Sequence, residues 1–162
     1  MRFSVTQTIA APVEEVARAY ASRELYDALD ATTRLGPPEV LDRDEDGGIV
    51  TLRIRYRFIG DLAPAVTAVV ARDRLTWVEE SVHDVAALTV GVTLHPDHYP
   101  DRLRCTGTYS YVARGEGTER RVEGDLRVRA LLVAGQVERA IVSGLTEHLA
   151  AEALQVERHL TA

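Results

Sequence analysis

The sequence predicts an α+β fold, a curved antiparallel sheet wrapped around one long C-terminal helix, and three observations carry that prediction. Val137, Ile141, Leu145 and Leu149 recur every fourth residue and Val156 and Leu160 continue the stripe, so Gly135 to Leu160 reads as one helix with a single apolar face. Residues 39–133 instead alternate in hydrophobicity, with Gly, Pro and Asp breaks spaced as in an antiparallel meander. Two short helical segments stand between the first strand and that meander. The apolar face of the long helix has to be covered, and a sheet of this extent can cover it.

In chain order, Phe3, Val5 and Gln7 alternate with Ser4, Thr6 and Thr8, giving a first strand from about Arg2 to Ile9. Pro12 stops it and suits the first turn of a helix, where its missing N–H costs nothing and Glu14 and Glu15 meet the positive end of the helix dipole. Val13, Val16, Ala17 and Tyr20 supply the apolar face of that helix. A second one, near Glu24 to Ala31, carries Leu25, Ala28 and Leu29, and Gly36-Pro37-Pro38 closes the helical region.

Glu39 to Asp44 reads as a strand that Asp46-Gly47-Gly48 turns back. On the return, Val50, Leu52, Ile54, Tyr56 and Phe58 alternate with Thr51, Arg53, Arg55 and Arg57, one face core and the other water. Gly60 to Ala71 fits either class, since Leu62, Val66, Val69 and Val70 have helical spacing but the β-branched content favours strand. Leu75 to Val82 is a strand carrying the only tryptophan, Trp77. Ala87 to His95 follows, with Leu88, Val90, Val92 and Leu94 on one side. Leu103 to Ala113 places Cys105, Gly107, Tyr109 and Tyr111 on one side. The last strand, Glu119 to Leu132, places Val122, Leu126, Val128 and Leu132 inward.

The 162 residues suit a single domain, 1–162, large enough to bury roughly 70% of the unfolded chain's surface. The formal net charge of -6 argues against a nucleic-acid partner, because phosphate binding draws on clustered cations. The cations are all arginine and are interspersed with a larger number of acids, which reads as solvated surface. A lone Cys105 forms no internal disulfide, so the chain does not depend on an oxidising compartment. There is no signal-peptide core and no apolar run long enough for an integral membrane segment, so the expected location is cytoplasmic.

The words Thr8-Ile9-Ala10-Ala11-Pro12-Val13-Glu14-Glu15-Val16, at the first strand-to-helix junction, together with the order of elements, resemble the START-related (SRPBCC) superfamily with its helix-grip fold. More narrowly, Val133-Ala134-Gly135-Gln136-Val137-Glu138-Arg139-Ala140-Ile141 leading to Leu149-Ala150-Ala151-Glu152 resembles the ending of the family called domain of unknown function 2505. The resemblance implies a cavity between sheet and C-terminal helix that binds a small hydrophobic, amphipathic or lipid-like molecule. It implies no particular chemistry, since this fold hosts carriers and enzymes alike.

The alternations direct Tyr56, Trp77, Tyr109 and Tyr111 into the space under the helix, where aromatic bulk with a few hydroxyls suits a ligand pocket and equally suits a plain core. Ile141, Leu145 and His148 form the roof. His148 and Glu152 lie one helical turn apart, either as an acid/base pair or as an ordinary pair in water. Glu79, Ser81 and His83 share the alternation of Trp77, so polar groups enter the cavity or a bulge turns them out. Cys105 reads as a small hydrophobe. No metal site is expected, because Glu152 and His159 lie about 10 Å apart along the helix and His95 and His98 have no ligand motif. No cofactor motif is present.

Three functions remain open on these residues. The first is a carrier, sensor or storage protein with no covalent step. The second is a polyketide cyclase/dehydratase-like enzyme in which His148 or Tyr109 moves a proton. The third is a protein-interaction module with a filled core. Sequence leaves the oligomeric state and the ligand's identity undetermined.

Overall fold

The computed structural model describes residues 1–162, leaving aside the side chain of Ala65. β1 (Arg2–Ile9) leads into α1 (Val13–Tyr20) and α2 (Arg23–Ala28). There follow β2 (Glu39–Asp46), β3 (Ile49–Arg57), the one-turn α3 (Pro64–Thr67), β4 (Thr76–Asp84), β5 (Thr89–Pro96), β6 (Leu103–Arg114) and β7 (Gly117–Val128), and α4 (Ala134–Thr161) ends the chain. All pairings are antiparallel, in the order β1-β7-β6-β5-β4-β3-β2. The meander is therefore uninterrupted, and β1 joins its far edge.

β3 shows why these residues make a sheet with one wet face. Val50, Leu52, Ile54 and Tyr56 are buried, whereas outward Arg53 and Arg55 meet Glu80 and Asp97 at 3.9 and 3.5 Å. The hairpin before it closes from Asp46 to Ile49 through Gly47 and Gly48, with φ of +58° and +82°. A two-residue turn with both φ values positive matches the strand twist and favours glycine at both places. Ser22 caps α2 by accepting the Leu25 N–H, as the short polar residue before a helix is suited to do.

α4 is held on the inner face of the sheet most firmly along its C-terminal half. Leu149, Ala153 and Val156 are buried there. Gln155 Oε1 accepts the Asp30 N–H at 2.7 Å, Glu157 Oε1 accepts the Ala10 N–H at 2.8 Å, and Gln7 Nε2 donates to the Leu149 carbonyl. Along the N-terminal half Val137 is buried, but Ile141 and Leu145 are only half-buried, because they face open space rather than packed side chains.

Several expected boundaries move, for identifiable reasons. The second helix ends at Ala28, not Ala31, since Leu29 is already extended. β5 begins at Thr89, because Val85 to Leu88 form a turn in which Leu88 has φ +57°. β7 ends at Val128, which pairs with Leu103, the first residue of β6. Leu132 therefore does not point inward; it lies beyond the ladder with φ +67°, and both it and Leu131 are exposed. Gly60 to Ala71 contains the single turn α3, and one turn of 3-10 helix at Arg72–Arg74 follows it.

Candidate functional site

Two adjoining spaces lie between the sheet and α4. The outer chamber has a volume of about 400 Å³ and a largely apolar wall that includes Phe58, Val66, Val70, Leu94, Ile141 and Gly144. That volume falls within the range of small-molecule sites. The inner chamber, about 80 Å³, is bordered by Tyr20, Tyr26, Tyr56, Glu79, Tyr109 and Arg120. Phe3, Trp77, Leu145 and His148 border both. Gly107 and Gly124 face each other across β6 and β7, and a Cβ on Gly124 would clash with the Phe3 ring. The missing side chain is what lets Phe3 lie against the sheet.

The inner chamber is built on a buried charge pair. Arg120 is 4% exposed and Glu152 also 4%, and Arg120 Nη1 lies 3.3 Å from Glu152 Oε1 while donating to Gln7 Oε1. The guanidinium lies over the Tyr20 ring at 4.0 Å and the Tyr109 ring at 4.4 Å, contacts that strengthen when desolvated. Tyr20 Oη donates to Glu152 Oε1 at 2.8 Å, and His148 Nε2 lies 3.4 Å from Glu152 Oε2. Thr32 Oγ1 accepts the N–H groups of Arg34 and Leu35, which frees its own proton for His148 Nδ1 at 3.2 Å. That arrangement fits the tautomer in which Nε2 carries the hydrogen and donates to Glu152.

Burial alone would raise the Glu152 carboxyl, but the His148 hydrogen bond, the charge of Arg120 and the Tyr20 hydroxyl bring it down to about 2. Glu152 is thus an ionised anchor at neutral pH. Glu79 is the opposite case. Burial raises its carboxyl to about 7, with Glu152 adding to the rise and Arg120, His148 and the Tyr109 hydroxyl, 3.4 Å away, opposing it. A carboxyl poised near neutrality beside a phenol can hold or release a proton under ordinary conditions.

This displacement predicts a pH dependence of stability. The folded chain retains the Glu79 proton over a range in which the unfolded chain has released it, so the contribution is intact below about 4.5 and is lost as pH rises through about 7. The loss is about 3 kcal/mol. Urea unfolding on either side of that window should show wild-type stability falling relative to Glu79→Gln; an unchanged difference would count against a proton-retaining Glu79. Arg120, Glu152, His148 and Tyr109 act on it directly, and Tyr20, Tyr26, Tyr56, Cys105 and Glu123 also line its chamber.

Of the residues expected to line a cavity, Tyr56 and Tyr109 border the inner chamber, Ile141 the outer one, and Trp77, Leu145 and His148 both. Tyr56 and Trp77 stack at 5.9 Å, and the Tyr56 ring meets His148 edge-on at 6.3 Å. Tyr111 is a correction: it points inward and is buried, but borders neither chamber, because Tyr20 of α1 packs against it at 6.0 Å. His148 and Glu152 are buried together and not in water. β4 pairs with both neighbours without a register shift, so Glu79, Ser81 and His83 do turn inward. His83 meets Ser81 Oγ at 2.9 Å, and burial, with Arg120 and Arg43, lowers its imidazole to about 4. Burial raises the Cys105 thiol to about 11, which keeps it protonated.

The residues missed from sequence are Arg120, Gln7 and Tyr20. Their signal is parity, since Arg120 shares the alternation of Val122 and Gln7 that of Phe3 and Val5. Among the described residues no three His, Cys, Asp or Glu side chains are grouped to hold a metal ion. No described helix is long and apolar enough to cross a membrane.

The model of a family described as Protein of unknown function (DUF2505) matches residues 4–160. No curated protein matches the sequence. Among solved structures, the protein TTHA0849 from Thermus thermophilus superposes with a TM-score of 0.67 at 18% identity, covering 99% of this chain and 97% of its own. The Zhui aromatase/cyclase from Streptomyces sp. R1128 gives 0.67 at 16% identity, over 99% and 95% of the two chains. Norcoclaurine synthase from Thalictrum flavum gives 0.64 at 16% identity, over 99% and 86%. At these identities the likeness is one of fold.

Proposed function

We propose, since the chain belongs to the DUF2505 family and has a START-related helix-grip fold, that it binds a small hydrophobic or amphipathic molecule between sheet and helix, as a cytoplasmic carrier, sensor or storage protein. The observation that carries this reading is the outer chamber, about 400 Å³ of largely apolar space with polar groups gathered at one end. Trp77, Ile141, Leu145 and His148 are its contact residues, with Tyr56 and Tyr109 on the adjoining inner chamber. The open chamber weighs against a filled core working as an interaction module.

Native mass spectrometry of the purified protein, followed by denaturing extraction, tests the proposal. A stoichiometric hydrophobic adduct is the expected result. Adding back the extracted compound at about 100 times its Kd should stabilise the fold by about 2.7 kcal/mol, a rise of roughly 5–10 °C in Tm. The absence of any adduct, with no stabilisation across lipid and polyketide panels, would remove the carrier reading.

One observation favours a second reading. Glu79, its carboxyl raised to about 7, and Tyr109, which donates to it, form a hydrogen-bonded pair on the inner chamber, and two of the similar folds belong to proteins named aromatase/cyclase and synthase. An enzyme of the cyclase or dehydratase type would use that pair on a polyketide-like substrate. Glu152, held ionised at about 2, is the poorer proton carrier. Turnover that persists in Glu79→Gln would exclude this mechanism.

A further inference from the structure

The inner chamber holds hydrogen-bond donors that no acceptor meets. The Tyr20 and Tyr109 rings lie against the Arg120 guanidinium, whose N–H groups point outward in its own plane. In that plane only Nη1 is engaged, by Gln7 and Glu152, and the buried Nε has no partner. A guanidinium has five N–H donors; the buried Tyr111 hydroxyl, itself without a partner, is an acceptor beside Arg120 for Nε–H, and both Nη2–H groups make no hydrogen bond among the described residues. The Tyr56 hydroxyl, on the same chamber, makes no hydrogen bond among them either.

The two carboxyl groups of the chamber each already receive other donors. Glu152 receives Tyr20 and Arg120 on one oxygen and faces His148 with the other, and Glu79 receives Tyr109. Buried donors without partners are penalised, and an arriving acceptor removes the penalty. The two chambers adjoin at Trp77, Leu145 and His148, which places a head of few atoms inside next to a tail outside.

We propose that the inner chamber is the head-group pocket for a carbonyl oxygen, carried by a ketone or a carboxylate, with Arg120 and Tyr56 donating to it while an apolar tail fills the outer chamber. This rests on the reading of the outer chamber as a ligand site. An ammonium head is disfavoured, because it brings further donors and a positive charge to Arg120. A bare hydrocarbon leaves the donors as they are.

Calorimetric titration with octanoic acid, methyl heptyl ketone, octylamine and octane separates the possibilities. The acid, the ketone or both should bind about tenfold or more tightly than octylamine and octane, the scale of one or two net hydrogen bonds. Binding of both identifies the carbonyl as the feature recognised, and binding of only one identifies which source supplies it. Tyr56→Phe should reduce that preference several-fold. The Arg120 Nε–H resonance should move with the carbonyl ligands and stay in place with octane. Octane or octylamine binding as tightly as the acid and ketone would overturn the head-group assignment and leave the chamber reading standing. Binding of none of the four would overturn both.

Discussion

Replacing Arg120 with methionine should lower stability by about 3–5 kcal/mol, because removing one partner of a buried ion pair leaves the other charge uncompensated. For a chain of this length that is a fall in Tm of about 10 °C. The stranded group is Glu152, 4% exposed and kept ionised by its present neighbours. Gln7 Oε1 loses its donor in the same substitution, and the Tyr20 and Tyr109 rings lose the cation between them. Methionine is unbranched and nearly fills the arginine stem's volume, so most of the loss is electrostatic rather than steric. The double variant Arg120→Met, Glu152→Gln should recover much of it, since a neutral amide can still accept from Tyr20 without being a buried charge. A double variant as unstable as the single one, in urea unfolding, would show that packing and not the orphaned charge sets the penalty.

That pair also marks where sequence stopped being legible. Arg120 lies at a position the strand alternation marks as inward and Glu152 close to the apolar face of α4, yet an arginine on a strand is ordinarily solvated, and parity alone does not overrule that expectation. Its justification is Glu152, on another element thirty-two residues later, and only the closed fold brings them together. Long periodic segments were readable because a periodicity is local: the α4 stripe and the β3 alternation each name their own buried face. Leu132 was misplaced for the converse reason. Where a strand stops depends on where its neighbour starts: β6 begins at Leu103, and past Val128 one backbone hydrogen bond, from Arg129 N–H to the Arg102 carbonyl, continues the pairing. The roof of the chamber, Ile141, Leu145 and His148, was legible as a helix face. That the face is left partly unfilled was not, because emptiness depends on the sizes of side chains contributed by several strands, by Gly107 and Gly124, and by α3.

A substitution at Gly144 should separate binding from stability most sharply. Gly144 sits inside α4, borders the outer chamber, and a Cβ built there meets nothing within 4 Å. Any ordinary residue is a better helix former than glycine, so replacement in the helix interior should itself stabilise the fold by a few tenths to about 1 kcal/mol. In Gly144→Trp the indole enters the open space and buries apolar area that no native side chain covers, which adds to stability if it finds a rotamer without strain. Occupying that space removes it from a ligand tail. Affinity for a bound alkyl ligand should therefore fall about 100-fold or more, by loss of buried methylenes worth about 0.8 kcal/mol each, while the apo Tm holds or rises. Gly144→Ala is the matched control, with the same helical gain and too little bulk to fill the chamber, and it should bind as wild type does. Retained affinity in a folded Gly144→Trp would mean that the ligand lies elsewhere. Lost affinity in Gly144→Ala would mean that the helix glycine matters for movement of α4 during entry and not for the volume it leaves.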